Sequence, residues 1–179
     1  MQAATATTDK RTTMNLFTGN ASDEFFGGEV PAPVRELLHQ AAEAAAGERA
    51  ALLWTAQALS PACLAIYYAL YKHHAGRREF ELAERAAWRG LQEAARLGGL
   101  DKDWRAVVPA PHVCFSQDGP QRFWLFTLKA LSFIHLRSER PEVARELLAK
   151  LHELDPLAQT GSEVTASLLQ AADAARGAR

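Results

Sequence analysis

The sequence predicts an all-α protein: antiparallel helical hairpins stacked as a short solenoid, closed by a C-terminal capping helix. Three observations predict it. Alanine and leucine dominate the 48 % of apolar residues, and β-branched residues are few. From Arg122 to Pro156, apolar side chains recur in three- and four-residue steps: Phe123, Phe126, Ala130, Phe133 and Ile134, then Val143, Leu147, Leu148, Leu151 and Leu154. Prolines and glycines fall between the periodic runs, where helices must start and stop.

Each element follows from these signals. Pro31 and Pro33 open a helix near Pro33–Ala46 with the stripe Val34, Leu37, Leu38 and Ala41, and Gly47 is expected to end it. A partner helix from Glu48 to Leu59 carries Leu52, Leu53 and Ala56, and Ser60-Pro61 closes it. Periodicity does not place Trp54. A third helix, about Pro61 to Ala75, presents Leu64, Tyr67, Tyr68 and Tyr71 on one side. A fourth, about Arg78 to Leu97, stops at Gly98-Gly99. The last hairpin spans 121–156. Its turn is Ser138-Glu139-Arg140-Pro141, with Pro141 suited to a first helical turn and Ser138 a possible cap. Asp155-Pro156 ends it. A final helix, Ser162 to Ala175, has Val164, Ser167, Leu168 and Ala171 as its apolar face. The domain layout is thus a flexible arm over 1–29 and one helical domain over 30–176. Its hairpins cover about 33–59, 61–98 and 121–156, with a loop over 99–120 and a cap helix over 162–175. In the arm, Met14, Leu16 and Phe17, and Asp23-Glu24-Phe25-Phe26, read either as spots that dock on the domain or as a partner-binding segment.

The stretch RFWLFTLKALSFIHLRSERPEVARELLAKLHELDP resembles a tetratricopeptide repeat, whose length is about 34 residues. Ala144 falls at the small position where the helices cross, Leu148 and Leu151 at the large apolar positions, and Leu131-Ser132 where a Leu-Gly pair is usual. His135 stands where tyrosine is usual, and the turn lacks the family's glycine. Residues 61–98 look like a diverged second hairpin, with a turn-to-small-residue spacing about two residues long for the repeat. More specifically, IYYALYKHHAGRREFELAERAAWRGLQEAARLGGLDKDW and DGPQRFWLFTLKALSFIHLRSERPEVARELLAKLHELDP resemble small repeat proteins that accompany nitrogen-fixation genes, of the nitrogenase-associated factor T type. The resemblance implies a cytoplasmic accessory factor that binds the nitrogenase molybdenum–iron protein.

A net charge of −1 gives no pull toward nucleic acid or anionic membrane. No apolar run approaches the roughly 20 residues that span a bilayer. The first residues lack the apolar core of a signal peptide. Two cysteines, Cys63 and Cys114, fit a reduced compartment and cannot hold a standard iron–sulfur cluster. No Walker loop, nucleophile elbow, zinc-protease helix or dinucleotide turn is present. No catalytic, cofactor-binding or metal-binding residue is therefore assigned.

The leading expectation is a non-catalytic protein-binding module. Tyr67, Tyr71, Lys72, Phe126, Lys129 and Phe133 would line its groove, and Trp104 would stand on the rim of the loop. The alternative is a small metal- or thiol-dependent enzyme using His112 and Cys114; a third reading is a homo-oligomeric scaffold. His73-His74 point about 100° apart on a regular helix, which hinders joint chelation. Arg78, Arg85, Arg89 and Arg96 share one face, interleaved with Glu81, Glu84 and Glu93. This reads as a salt-bridged solvent face or as a dock for an acidic protein.

Overall fold

The computed structural model describes residues 30–177. The proposed arm over 1–29, with its two apolar spots, lies outside the described residues, as do the last two residues of the tail. The described residues form seven helices and no strand: α1 (Ala32–Glu43), α2 (Ala46–Leu59), α3 (Leu64–Gly76), α4 (Phe80–Gly98), α5 (Pro120–Arg137), α6 (Pro141–Leu154) and α7 (Glu163–Gly177). Each of α1–α6 packs on the next in sequence. In addition α3 touches α5, and α7 touches both α5 and α6. That order is compatible with hairpins stacked in series and a last helix laid across their end.

The core sits around α4. Ala83, Ala86, Ala87, Gly90, Ala94 and Ala95 are all buried on this helix, with Leu91 as the one large member. Small side chains let α3 and α5 approach closely from both sides. At the tightest point, Gly90 faces Tyr67 of α3 and Phe123 of α5. Trp124, Phe123, Leu128, Leu131 and Ile134 of α5, with Leu147 and Leu151 of α6, fill the rest.

The turns of the second and third hairpins are built alike, residue for residue. The Glu79 N–H donates to the His74 carbonyl at 2.9 Å, and the Arg140 N–H to the His135 carbonyl at 2.9 Å. Arg78 (φ 63°) and Glu139 (φ 60°) both take the left-handed conformation that turns the chain. Ala83 and Ala144 are fully buried at equivalent places in the following helix. The long spacing read into the second hairpin is therefore absent: α4 begins at Phe80, and Arg78 belongs to the turn and not to the helix.

Three other expectations change. Gly47 does not end the first helix but lies in the first turn of α2. The carbonyls at the end of α1 are met instead by the Arg49 guanidinium, which donates to Ala41 (2.7 Å), Ala42 (3.2 Å) and Ala44 (3.0 Å). Ser138 does not cap α6; its hydroxyl donates back to the Ile134 carbonyl at 2.7 Å, while Arg140 precedes the helix. On α7 the buried residues are Thr165 and Leu169, whereas Val164 and Leu168 are 68 % and 43 % exposed. Helix α7 carries two adjacent apolar stripes, and its anchors decide which faces inward. The Asp155 carboxylate accepts the Gln159 and Thr160 N–H groups, Lys129 Nζ donates to the Thr160 carbonyl at 2.6 Å, and Arg145 grips Asp173 at 2.9 Å.

The 99–120 segment is held at several points. Trp104 is buried 6.5 Å from Trp88, and Phe115 stacks on Trp124 at 5.9 Å. Gln121 Nε2 donates to the Gly98 carbonyl (2.8 Å), while its Oε1 accepts the Cys114 N–H (2.6 Å). One side chain thus joins the end of α4, the loop and the start of α5.

Candidate functional site

The residues expected to line one groove differ in exposure. Tyr67 and Tyr71 are 4 % and 5 % exposed, so both are core residues of α3. Their periodicity is the same for a buried stripe as for a groove. The Tyr67 hydroxyl donates to the Pro61 carbonyl at 2.7 Å, which ties α3 to the chain before it. Trp104 is 8 % exposed, with Arg105 over its outer face at 4.3 Å. Lys72 is half-buried, its Nζ 3.2 Å from the Tyr68 hydroxyl; burial pulls its ammonium down to about 8. Lys129 is likewise committed, to the Thr160 carbonyl and to the Phe126 ring at 5.2 Å. Burial also lowers its pKa, against an opposing pull from Asp155. Phe126 is half-buried and Phe133 is exposed.

Of this set, Phe126 borders a cavity. The cavity, about 330 Å³, lies where the 99–120 loop, α5 and the α6–α7 connection meet. Val113, Phe115, Phe126 and Leu157 supply apolar wall; Arg122, Asp155 and Thr160 supply polar wall. Leu157 is 78 % exposed and stands at the mouth. The Thr160 hydroxyl is buried with no hydrogen-bond partner. Arg122 is positioned by donation to the Ser116 carbonyl at 2.8 Å and by its guanidinium lying 5.5 Å from the centre of the Phe126 ring. Sequence reasoning missed Asp155, Leu157 and Thr160. The one signal was an apolar Leu157 after the helix-ending Asp155-Pro156, and its partners come from distant segments.

Cys114 also borders the cavity, and both cysteines remain thiols. The Ser116 hydroxyl at 3.3 Å holds the Cys114 thiol below its usual range, helped by the backbone N–H groups of Gln117 and Ser116. His112 is exposed and does not line the cavity. The structure therefore does not assemble His112 and Cys114 as a pair in its wall.

The basic face divides. Arg96 pairs with Glu93 at 2.6 Å, and Arg89 lies over Trp54 at 5.9 Å. Glu84 turns to the third hairpin, where Arg140 meets it at 2.5 Å and His135 Nε2 lies 3.5 Å away. Burial pushes the Glu84 carboxyl up, but Arg140 and His135 outweigh it and leave it below the usual range.

Comparison with protein families, with characterised proteins and with solved structures finds no match. The class is defined by the structure itself: an all-α chain with an apolar-mouthed cavity at the α6–α7 connection, and no helix long and apolar enough to cross a membrane among the described residues.

Proposed function

We propose that this protein is a non-catalytic, cytoplasmic protein-binding factor that takes an apolar side chain of its partner into the cavity beside Phe126 and Leu157. The observation that supports this reading is the cavity's mouth: a leucine 78 % exposed, beside a half-buried phenylalanine, over a volume of about 330 Å³. An exposed leucine at the edge of a preformed hollow gains from apolar contact on binding. Val164 and Leu168 extend uncovered apolar surface along α7. The partner suggested by the resemblance is the nitrogenase molybdenum–iron protein, held and stabilised during assembly, cofactor loss or damage.

The test is affinity capture from the native cells, grown anoxically under nitrogen-fixing conditions, using the parent chain and Leu157→Asp as baits. Nitrogenase subunits on the parent and not on the folded variant support both docking face and partner. Capture that is equal on the two baits overturns the cavity as the docking face. Parent bait without nitrogenase subunits overturns the partner. A second reading, a thiol enzyme at Cys114, rests on the lowered thiol pKa at the cavity wall. It predicts rapid alkylation of Cys114 and a turnover lost in Cys114→Ser.

A further inference from the structure

The closed end of the second hairpin holds a constellation that the docking reading does not use. His73 and His74 end α3, and Glu79 follows the turn. One nitrogen from each ring and one Glu79 oxygen all lie within 4.8 Å of one another. Among the described residues no other set of three or more histidine, cysteine, aspartate or glutamate side chains is so gathered. His74 is 2 % exposed, and its Nδ1 lies 2.7 Å from Glu79 Oε2. An ionised carboxylate only accepts, so Nδ1 carries a proton, and in the neutral ring Nε2 is then the lone-pair nitrogen. That Nε2 is buried and has no hydrogen-bond partner; the same is true of His73 Nε2. Two buried imidazole nitrogens without partners, on neighbouring residues, are costly to leave unsatisfied.

The ring geometry suits a shared ion. The centroids are 5.0 Å apart at an interplanar angle of 70°. Two imidazoles on one tetrahedral ion, each nitrogen about 2.1 Å from it, place their ring centres about 5 Å apart. The approximately 100° step between neighbours on a helix is thus offset here by the side-chain torsions.

We propose that His73 and His74 form a binding site for one divalent transition-metal ion of the zinc class, each giving a ring nitrogen, with Glu79 holding His74 in the ligating tautomer. A carboxylate that accepts the second ring N–H is the usual support of a metal-bound histidine. Glu79 is itself fixed by Arg77, whose Nε donates to Oε1 at 2.7 Å. The neighbourhood also selects the ion. The one nearby carboxylate is occupied by His74 and Arg77, and Arg49 adds positive charge near His73. Calcium and magnesium need several oxygen ligands and find too few, whereas zinc, cobalt and nickel accept imidazole nitrogen.

The test is titration of the tag-free, chelator-stripped full chain with cobalt(II), followed by ligand-field absorption, and with zinc(II) in competition with a chromophoric chelator. One equivalent is expected, with calcium and magnesium failing to displace it. His73→Ala, at a half-exposed position, is expected to lose more than about tenfold in affinity, and Glu79→Gln about tenfold. Cys114→Ser and His112→Ala are expected to bind as the parent does. Zinc-induced shifts of the His73 and His74 ring nitrogens in imidazole ¹⁵N spectra provide a readout independent of any variant's folding. No stoichiometric binding by the folded parent overturns the proposal. So does binding untouched by His73→Ala, or binding that disappears in Cys114→Ser.

Discussion

Gly90 is the point at which the crossing of α3, α4 and α5 can be tested with a single methyl group. A Cβ built there lies 2.8 Å from Tyr67 Cβ, 3.2 Å from Tyr67 Cγ and 3.3 Å from Phe123 Cζ. Optimal carbon–carbon separation is about 3.5–4.0 Å, so the nearest contact is short by roughly an ångström. Tyr67 Cβ is the first atom off the backbone and cannot swing aside; α3 itself must shift. Its hydroxyl is also tied to the Pro61 carbonyl. Overpacking of this kind costs about 1–3 kcal/mol, and the helix preference of alanine over glycine returns about 1 kcal/mol. The steric term lies at the upper end of its range because a backbone must move. Gly90→Ala is therefore expected to lose about 1–2 kcal/mol, a fall in Tm of roughly 2–8 °C for a domain of this size. Gly47→Ala is the control: nothing lies within 4 Å of its Cβ, and a gain of about 0.5–1 kcal/mol is expected. Thermal and urea unfolding, followed by far-ultraviolet circular dichroism, measure both. If Gly90→Ala is stabilised as much as Gly47→Ala, the close crossing is wrong.

The other predictions concern the turns and the last helix. His135 is buried, and desolvation lowers its pKa despite the opposing charge of Glu84. Its stabilising contribution is fully present above the unfolded value near 6.5 and is lost as pH falls through the lower folded value. His135→Gln is expected to flatten the fall in stability as pH drops below about 6.5, and an unchanged slope counts against the assignment. Arg49→Lys should cost about 1–2 kcal/mol in urea unfolding, because an ammonium cannot span the three carbonyls that the guanidinium serves. Leu169→Ala should cost about 2–3 kcal/mol and Val164→Ser less than about 0.5 kcal/mol; the reverse order would restore the other stripe of α7 to the core.

Much of this protein is written in local sequence, because helix formation is a local matter. The existence of all seven helices follows from alanine and leucine content, from the three- and four-residue recurrence of apolar side chains, and from prolines and glycines at the breaks. Phe123, Ile134, Leu147 and Leu151 could be assigned to the core on periodicity alone, and all are buried. Where two neighbouring stripes both carry a leucine, the apolar pattern alone did not pick the buried one. Val164 and Thr165 differ by one step on α7, and the choice was made by Lys129, Arg145 and Asp155 reaching in from elsewhere. Tyr67 and Tyr71 show the same limit: an aromatic stripe on a helix says that one face is special, and only the arrival of α4 makes it interior. Gly47 misleads for a related reason, since the side chain that closes α1 comes from Arg49, beyond the end of the helix at Glu43. The cavity belongs wholly to tertiary structure, for its walls are drawn from three separated stretches. So does the meeting of His73, His74 and Glu79, because a left-handed Arg78 folds the carboxylate back onto the helix it follows. Hydrogen-bonding along one chain settles where helices form; which side chains then meet depends on contacts between residues far apart in sequence, and these appear only once the helices are packed.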